Sequence, residues 1–296
     1  MYAPSMSEAY RTPFQDAYDG QTLEEAFDST VKCARALDFW RDFLPDVTLE
    51  SLEDFKRLPL ASRAELSRAT GLRELITDPR WLMRSFYPYN QNVCTFPFQV
   101  VAGEEDLILR HERIKAILET TGFDEGGEAL ILVSPPQYFF GSDLCAEIYF
   151  DGPHCNIQDV TGMEAAAIRE RIEDFGAQLV IVATDSQEIC PDAFPSSVEA
   201  VVTFRGAFPE LAELDAKVVD VYTLTECPIV GHRLAGERFY GYDHDHYYIE
   251  RSPAGLITIT TLLWEAMPFV RYQTYDTAGE ILDAEGEFEV TAFGEW

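Results

Sequence analysis

Between residues 105 and 225 amphipathic helical stretches alternate with short apolar runs, and few folds accept that alternation. "RHERIKAILETTGF" has apolar residues at helical spacing and leads into "EALILVSPP", a short apolar run stopped by a proline pair. "GMEAAAIRERIEDFGAQLVIVAT" reads as a helix followed by a strand, and "VEAVVTF" and "AKVVDVYTL" as further strands. Strands apolar along their whole length, joined by helices, predict a mainly parallel α/β sheet covered on its faces. From residue 238 the texture changes. "RFYGYDHDHYYIE", "GLITITTL", "PFVRYQTYD" and "FEVTAFGEW" alternate apolar and polar residues between turns, as in an antiparallel β subdomain. The predicted fold class is therefore α/β, with mainly parallel sheet layers, flanking helices and a C-terminal antiparallel β subdomain.

The N-terminal third reads as helical. Residues 22–46 carry apolar residues at helical spacing, with Thr22 as N-cap and Glu25 three residues on. "TLESLEDFKRLPLASRAELSRA" gives two short helices split by Pro59, the second opened by the capping pair Ser62 and Glu65. The organisation expected is a helical region with an irregular loop over 1–104, an α/β subdomain over 105–236 and a β subdomain over 237–296, together one compact unit.

The formal charge of −30, from 22 basic and 52 acidic residues, makes nucleic acid and anionic membranes poor partners. Its plain reading is solubility or a salt-rich habitat; an acidic face for a basic partner is the other. "MYAPSMSEAYRTPF" lacks the basic and apolar regions of a secretory signal, and no apolar run reaches about 18 residues. The six cysteines are scattered, with no CxxC and none of the dense spacing of a disulfide scaffold. The expectation is a soluble protein with reduced thiols in the cytoplasm.

Chemistry concentrates in "VYTLTECPIVGHR", residues 221–233, where an apolar strand ends in a turn holding Thr225, Glu226 and Cys227, with His232 beyond. A nucleotide site, a thiol nucleophile, a metal site and an ordinary turn are all open. Cys227, His232, His244 and His246 are ligand types that zinc accepts. Their spacings, C-x4-H and H-x-H, are irregular, and a strand over "DHDHYY" would put both histidines on one face. A polar hairpin is the competing reading. "QYFFG" places Tyr138, Phe139, Phe140 and Gly141 just past a predicted strand, where α/β sheets bind ligands. These rings can line an acyl or aryl pocket or simply fill core.

The order of these features resembles the N-terminal domain of adenylate-forming enzymes, in the phenylacetate-CoA ligase-like branch. "LPLASRAEL", the module "ILETTGFDEGGEALILVSPPQYFFGSDLCAEIYFDG", "VVDVYTLTE" and "HDHYYIE…GLITITTLLWEAMPFVRYQTYD" are each similar to segments of that branch. The last is the most specific, because several residue types recur in order. The resemblance implies that Thr225 and Glu226 contact a nucleotide's phosphate and its Mg2+. It implies that Asp276 accepts the ribose hydroxyls, that Arg271 pairs with phosphate or with that aspartate, and that Gly206 belongs to the adenine-side loop. It also makes the turn around Tyr138–Gly141 a border of the acyl pocket. ATP or AMP with Mg2+ is the implied cofactor, and a small acyl or aryl acid the implied substrate.

The departures pull the other way. Where the family has a Ser/Thr/Gly-rich phosphate loop ending in lysine, this chain reads "SFYPYNQNVCTFPFQVVAGEED". With no glycine before Gly103 and no lysine, that segment cannot wrap and neutralise a triphosphate, and Glu104, Glu105 and Asp106 would repel one. Phe86, Tyr87 and Tyr89 are expected to fill the vacated space. "TFRGAFPE" keeps Gly206 but not the acid that follows it in the family, and Tyr275 stands where the family has glycine. The last lysine is Lys217, so the family's C-terminal domain and its catalytic lysine are expected to be absent from this chain. Three readings remain. The chain is a repurposed scaffold acting on a preactivated carboxyl group such as a thioester, without ATP, by acyl transfer, cyclisation or hydrolysis. Its base or nucleophile would come from Cys227, His232, His244, His246 and Cys145. Alternatively it is a minimal AMP-forming ligase completed by a lysine-bearing partner, or a non-catalytic subunit of a biosynthetic complex. A carrier protein and a homodimer are further partners left open.

Overall fold

The computed structural model describes residues 23–69, 74–77, 86–87, 100–101, 103–123, 126–135, 144–145, 148, 154–184, 186, 188–224, 226–227, 229–244, 246–262 and 266–294. They fall into two compact units, one formed by Arg110–Tyr242 and the other by Met1–Leu109 with Asp243–Trp296.

In the Arg110–Tyr242 unit a parallel sheet is built from β4 (Glu128–Val133), β5 (His154–Asp159), β6 (Leu179–Ala183), β7 (Ala200–Phe204) and β8 (Lys217–Tyr222). Their order is β8-β7-β6-β4-β5, all neighbours parallel. β9 (Gly231–Leu234) and β10 (Tyr240–Tyr242) then add to β8 antiparallel. Alternation along each strand splits the core in two. Ala129, Ile131 and Val133 pack on one face with Ile181, Val202 and Val221, under Ile114, Ile117 and Leu118 of helix α5 (Glu104–Thr121). Leu130 and Leu132 pack on the other with Val180, Val182 and Val201, under Ile168 and Ile172 of α6 (Ala165–Phe175). That two-sided burial is why these strands read as continuous apolar runs. Gly176, at φ 73°, ends α6 in a Schellman arrangement, with Ala177 N–H donating to the Ile172 carbonyl and Gly176 N–H to Glu173. β5 went unread in the sequence, because as the sheet's edge its residues "HCNIQD" are half exposed and not apolar.

In the other unit β11 (Tyr247–Arg251), β12 (Leu256–Thr261), β13 (Tyr272–Leu282) and β14 (Glu287–Ala292) form an antiparallel meander, as the sequence texture predicts. The two-residue β1 (Ala61–Ser62) runs parallel to β13 in register with Tyr272 and Gln273. The single helix expected over 22–46 breaks at Ala36–Leu37 into α1 (Leu23–Arg35) and α2 (Asp38–Phe43). Thr22 lies outside the described residues. Helices α3 (Leu52–Phe55) and α4 (Arg63–Leu66) flank Pro59, and Ser62 and Glu65 form the reciprocal capping box that their spacing predicts. Phe27 of α1 stacks on Phe55 at 4.1 Å and meets Tyr248 edge-on at 4.9 Å, which binds helices to meander through aromatic area. Asp106, read from sequence as a charge facing phosphate, is instead buried; its Oδ2 accepts the Gly103 N–H at 2.6 Å and the Ala266 N–H at 3.1 Å. In the stretch expected to replace the phosphate loop, β2 (Phe86–Tyr87) pairs antiparallel with β3 (Val100–Val101). The rings of Phe86 and Tyr87, and all of Tyr89, lie outside the described residues.

Among the described residues no helix is long and apolar enough to cross a membrane.

Candidate functional site

The turn after β8 closes on itself. Leu224 N–H donates to the Cys227 carbonyl, Ile229 N–H to Thr223 Oγ1, and Val230 N–H to the Tyr222 carbonyl, which restores pairing with β9. Ile229 holds a φ of 59°, a left-handed conformation that a β-branched residue adopts only under constraint. Glu226 and Cys227 are fully buried in this turn. Burial pushes the Cys227 thiol well above its ordinary range; the Glu226 carboxylate raises it further and the Arg113 guanidinium, from α5, partly opposes. Cys227 is thus a protonated thiol at neutral pH, and activation by a nearby imidazole is not what its surroundings provide. Thr225 lies outside the described residues.

His232 sits on β9, opposite Val221, and its Nε2 is 3.0 Å from Thr120 Oγ1. That hydroxyl also donates to the Ala116 carbonyl at 2.9 Å, so His232 Nε2 carries the hydrogen and donates to Thr120. Burial lowers the His232 pKa, with Glu237 partly opposing. Below the ordinary value of 6.5 the unfolded chain binds a proton that the native imidazole refuses. Stability therefore falls as pH drops through 6.5, levels off below the native pKa and is flat above. Unfolding free energies measured across that range should show this slope, and His232→Asn should remove it.

One functional-looking residue was missed in the sequence. Asp220, inside the apolar run of β8, is almost fully buried and gathers five donors. Its Oδ2 accepts from Arg233 Nη2 at 3.0 Å, from Arg233 Nε at 3.2 Å and from the Tyr240 hydroxyl. Its Oδ1 accepts the Gly206 N–H at 2.8 Å and, at 3.5 Å, the Thr203 hydroxyl. Arg233 stacks over the Tyr240 ring at 4.1 Å. Burial first and then Asp220 hold the Tyr240 phenol protonated. Arg205 and Gly206, with φ of 56° and 60°, make the left-handed turn that aims the Gly206 N–H at this carboxylate. The signal was a lone aspartate among valines, since a carboxylate buried in a strand is almost always paired.

In the meander unit Arg271, at φ 48°, is buried and clamps Glu250, with Nε donating to Oε1 at 2.6 Å and Nη2 to Oε2 at 3.2 Å. Its Nη1 donates to the carbonyls of Lys56 and Leu58. Asp276 is fully buried on β13, which begins just after Arg271, and its Oδ1 accepts the Gly294 N–H at 2.8 Å. Gly294 packs so closely that a Cβ there would stand 2.4 Å from the Tyr275 carbonyl oxygen. His244 and His246 lie in the turn before β11, not on the strand, so the period-two argument for a shared face does not apply. Asp243 Oδ2 is 2.6 Å from His246 Nδ1. No three histidine, cysteine or acidic side chains gather around a metal position among the described residues. Tyr138, Phe139, Phe140 and Gly141 lie outside the described residues.

No family model matches the sequence, and no curated protein matches it. Solved structures do match. An open conformation of 2-hydroxyisobutyryl-CoA ligase, in complex with 2-HIB-AMP and CoA, superposes at TM-score 0.69 and 15% identity over 92% of this chain and 74% of that one. The same ligase in its postadenylation state with 2-HIB-AMP gives 0.68 and 14%, covering 92% of this chain and 66% of that one. An acyl-CoA synthetase of Brucella canis gives 0.51 and 16%, over 66% of this chain and 43% of that one. This chain therefore shares the fold of these acyl-CoA ligases.

Proposed function

We propose that this protein is a divergent member of the phenylacetate-CoA ligase-like branch. It acts on an acyl or aryl group already activated as a thioester, and without ATP-dependent adenylation. The observation that carries this reading is Asp276, the residue that resemblance assigns to the ribose: it has no exposed surface, and its Oδ1 is spent on the Gly294 N–H. Other residues that resemblance gives to a nucleotide are likewise engaged within the protein. The Gly206 N–H serves Asp220, Arg271 serves Glu250 and two carbonyls, and Glu226 is fully buried. As placed, these groups do not fit ATP–Mg2+. The glycine-free, lysine-free stretch over 85–102 supports the same reading.

Of the candidate bases, Cys227 is buried and protonated, and His232 is committed to Thr120. His246 has the Asp243 carboxylate 2.6 Å from Nδ1, which leaves Nε2 as the nitrogen to serve as base. In acyl transfer or hydrolysis His246 takes the proton of the attacking hydroxyl, amine or water. Asp243 is the positioning residue.

Calorimetric titration of ATP–Mg2+, alongside turnover assays on short acyl- and aryl-CoA thioesters, tests this. The expected outcome is thioester turnover with no ATP binding at millimolar concentration, and a loss of about a hundredfold in kcat for His246→Gln. Micromolar ATP binding that Glu226→Ala abolishes would overturn it in favour of a ligase completed by a partner, the reading favoured by the superposition on an adenylate-bound ligase. No binding and no turnover would leave the non-catalytic subunit.

A further inference from the structure

The sequence scatters its cysteines, but the fold brings two of them together. Cys145 lies in a helical stretch, and Cys155 is the second residue of the edge strand β5, paired with Ala129 of β4. Both are half-buried against the same core face. Cys145 Sγ lies 3.6 Å from the Cys155 carbonyl oxygen, so the two residues are in contact. Cys33 is exposed and Cys227 fully buried, so neither shares this environment.

We propose that Cys145 and Cys155 are a reversible oxidation site, closing to an intramolecular disulfide on reaction with a low-molecular-weight disulfide such as oxidised glutathione. Two cysteines on one core face, the sulfur of one already against the backbone of the other, need mainly a side-chain rotation to reach disulfide geometry. The sequence of steps follows from the surroundings. Burial, and then Cys145 itself, hold the Cys155 thiol strongly protonated. The first attack therefore falls to the Cys145 thiolate, which displaces one glutathione thiolate and leaves a mixed disulfide. With Cys145 capped, its charge no longer adds to burial in holding the Cys155 proton. Cys155 then attacks the Cys145 sulfur, loses its proton and expels the second glutathione. Two protein thiols lose two hydrogens, and one oxidised glutathione becomes two reduced ones. The bond would tie the Cys145 stretch to β5. Leu144 and Ile148, on either side of Cys145, line a small apolar cavity with Ile117, Phe204, Val221 and Ile229, so oxidation would also fix that wall.

The test is to incubate the native protein with oxidised glutathione, quench with acid, count thiols after denaturation and map peptides without reduction. The expected result is the loss of two thiols and a Cys145–Cys155 peptide pair that dithiothreitol releases. Cys155→Ser should stop at a glutathione adduct on Cys145, and Cys145→Ser should show no linkage at Cys155. A wild-type protein that stops at the mixed disulfide, that links Cys145 to another cysteine, or that keeps all its thiols would overturn the proposal. The wild-type result alone decides, whether or not the variants fold.

Discussion

Replacing Asp220 by alanine should cost about 3 kcal/mol of stability, read as a fall in the urea midpoint of the Arg110–Tyr242 unit. The carboxylate is 4% exposed and serves the Arg233 guanidinium through two nitrogens, the Tyr240 hydroxyl and the Gly206 N–H. Without it a half-desolvated guanidinium keeps its charge and loses its counterion. Breaking a buried pair from one side costs about 3–5 kcal/mol, and the residual exposure of Arg233 sets the lower end. Asp220→Asn keeps an acceptor but not the charge, and should cost about half as much. Asp28→Ala, which removes an exposed partner of Lys32, should move stability by at most about 0.5 kcal/mol. A loss for Asp220→Ala no larger than that of Asp28→Ala would refute the account.

Arg271→Lys should be nearly as damaging, although the charge is kept. The guanidinium fork reaches both Glu250 oxygens and two backbone carbonyls at once. An ammonium on a flexible stem cannot span that set, and each buried acceptor left without a donor costs about 1–3 kcal/mol. A loss of about 3 kcal/mol is expected. Arg271→Met should cost more, because Glu250 is then a buried charge without a partner. Arg271→Met with Glu250→Gln should recover part of that loss, and the cycle measures the coupling. Equal stability of the lysine variant and the parent would show that charge alone holds this joint.

The two results share a cause with what the sequence made legible. Period and composition expose residues whose neighbours are fixed by local geometry. The strands of "EALILV", "LVIVA" and "VVDVY", the Gly176 stop and the Ser62–Glu65 box all follow from spacing within one element. Partnerships across the fold are not encoded that way. Nothing near Cys145 names Cys155, nothing near Gly294 names Asp276, and Arg271 meets carbonyls more than 200 residues away in sequence. β5 was hidden because an edge strand lacks the apolar run that marks its buried neighbours. The family likeness singled out Glu226, Arg271 and Asp276, all of which are buried, but it could not tell whether their polar groups face a ligand or the protein itself.

The parallel pairing of β1 with β13 bears on synthesis. Arg110–Tyr242 is one unbroken stretch of chain, so it can fold while the remainder is still being translated. The other unit is assembled from both flanks: Ala61 and Ser62 wait for Tyr272 and Gln273, and Phe27 and Phe55 wait for Tyr248. At about 5–20 residues per second the ribosome keeps those N-terminal aromatic helices waiting for at least ten seconds or so. During that interval they are natural clients for a chaperone. Slow codons placed after residue 242 should lengthen the exposure and lower the soluble yield, while the same codons placed before residue 23 should not.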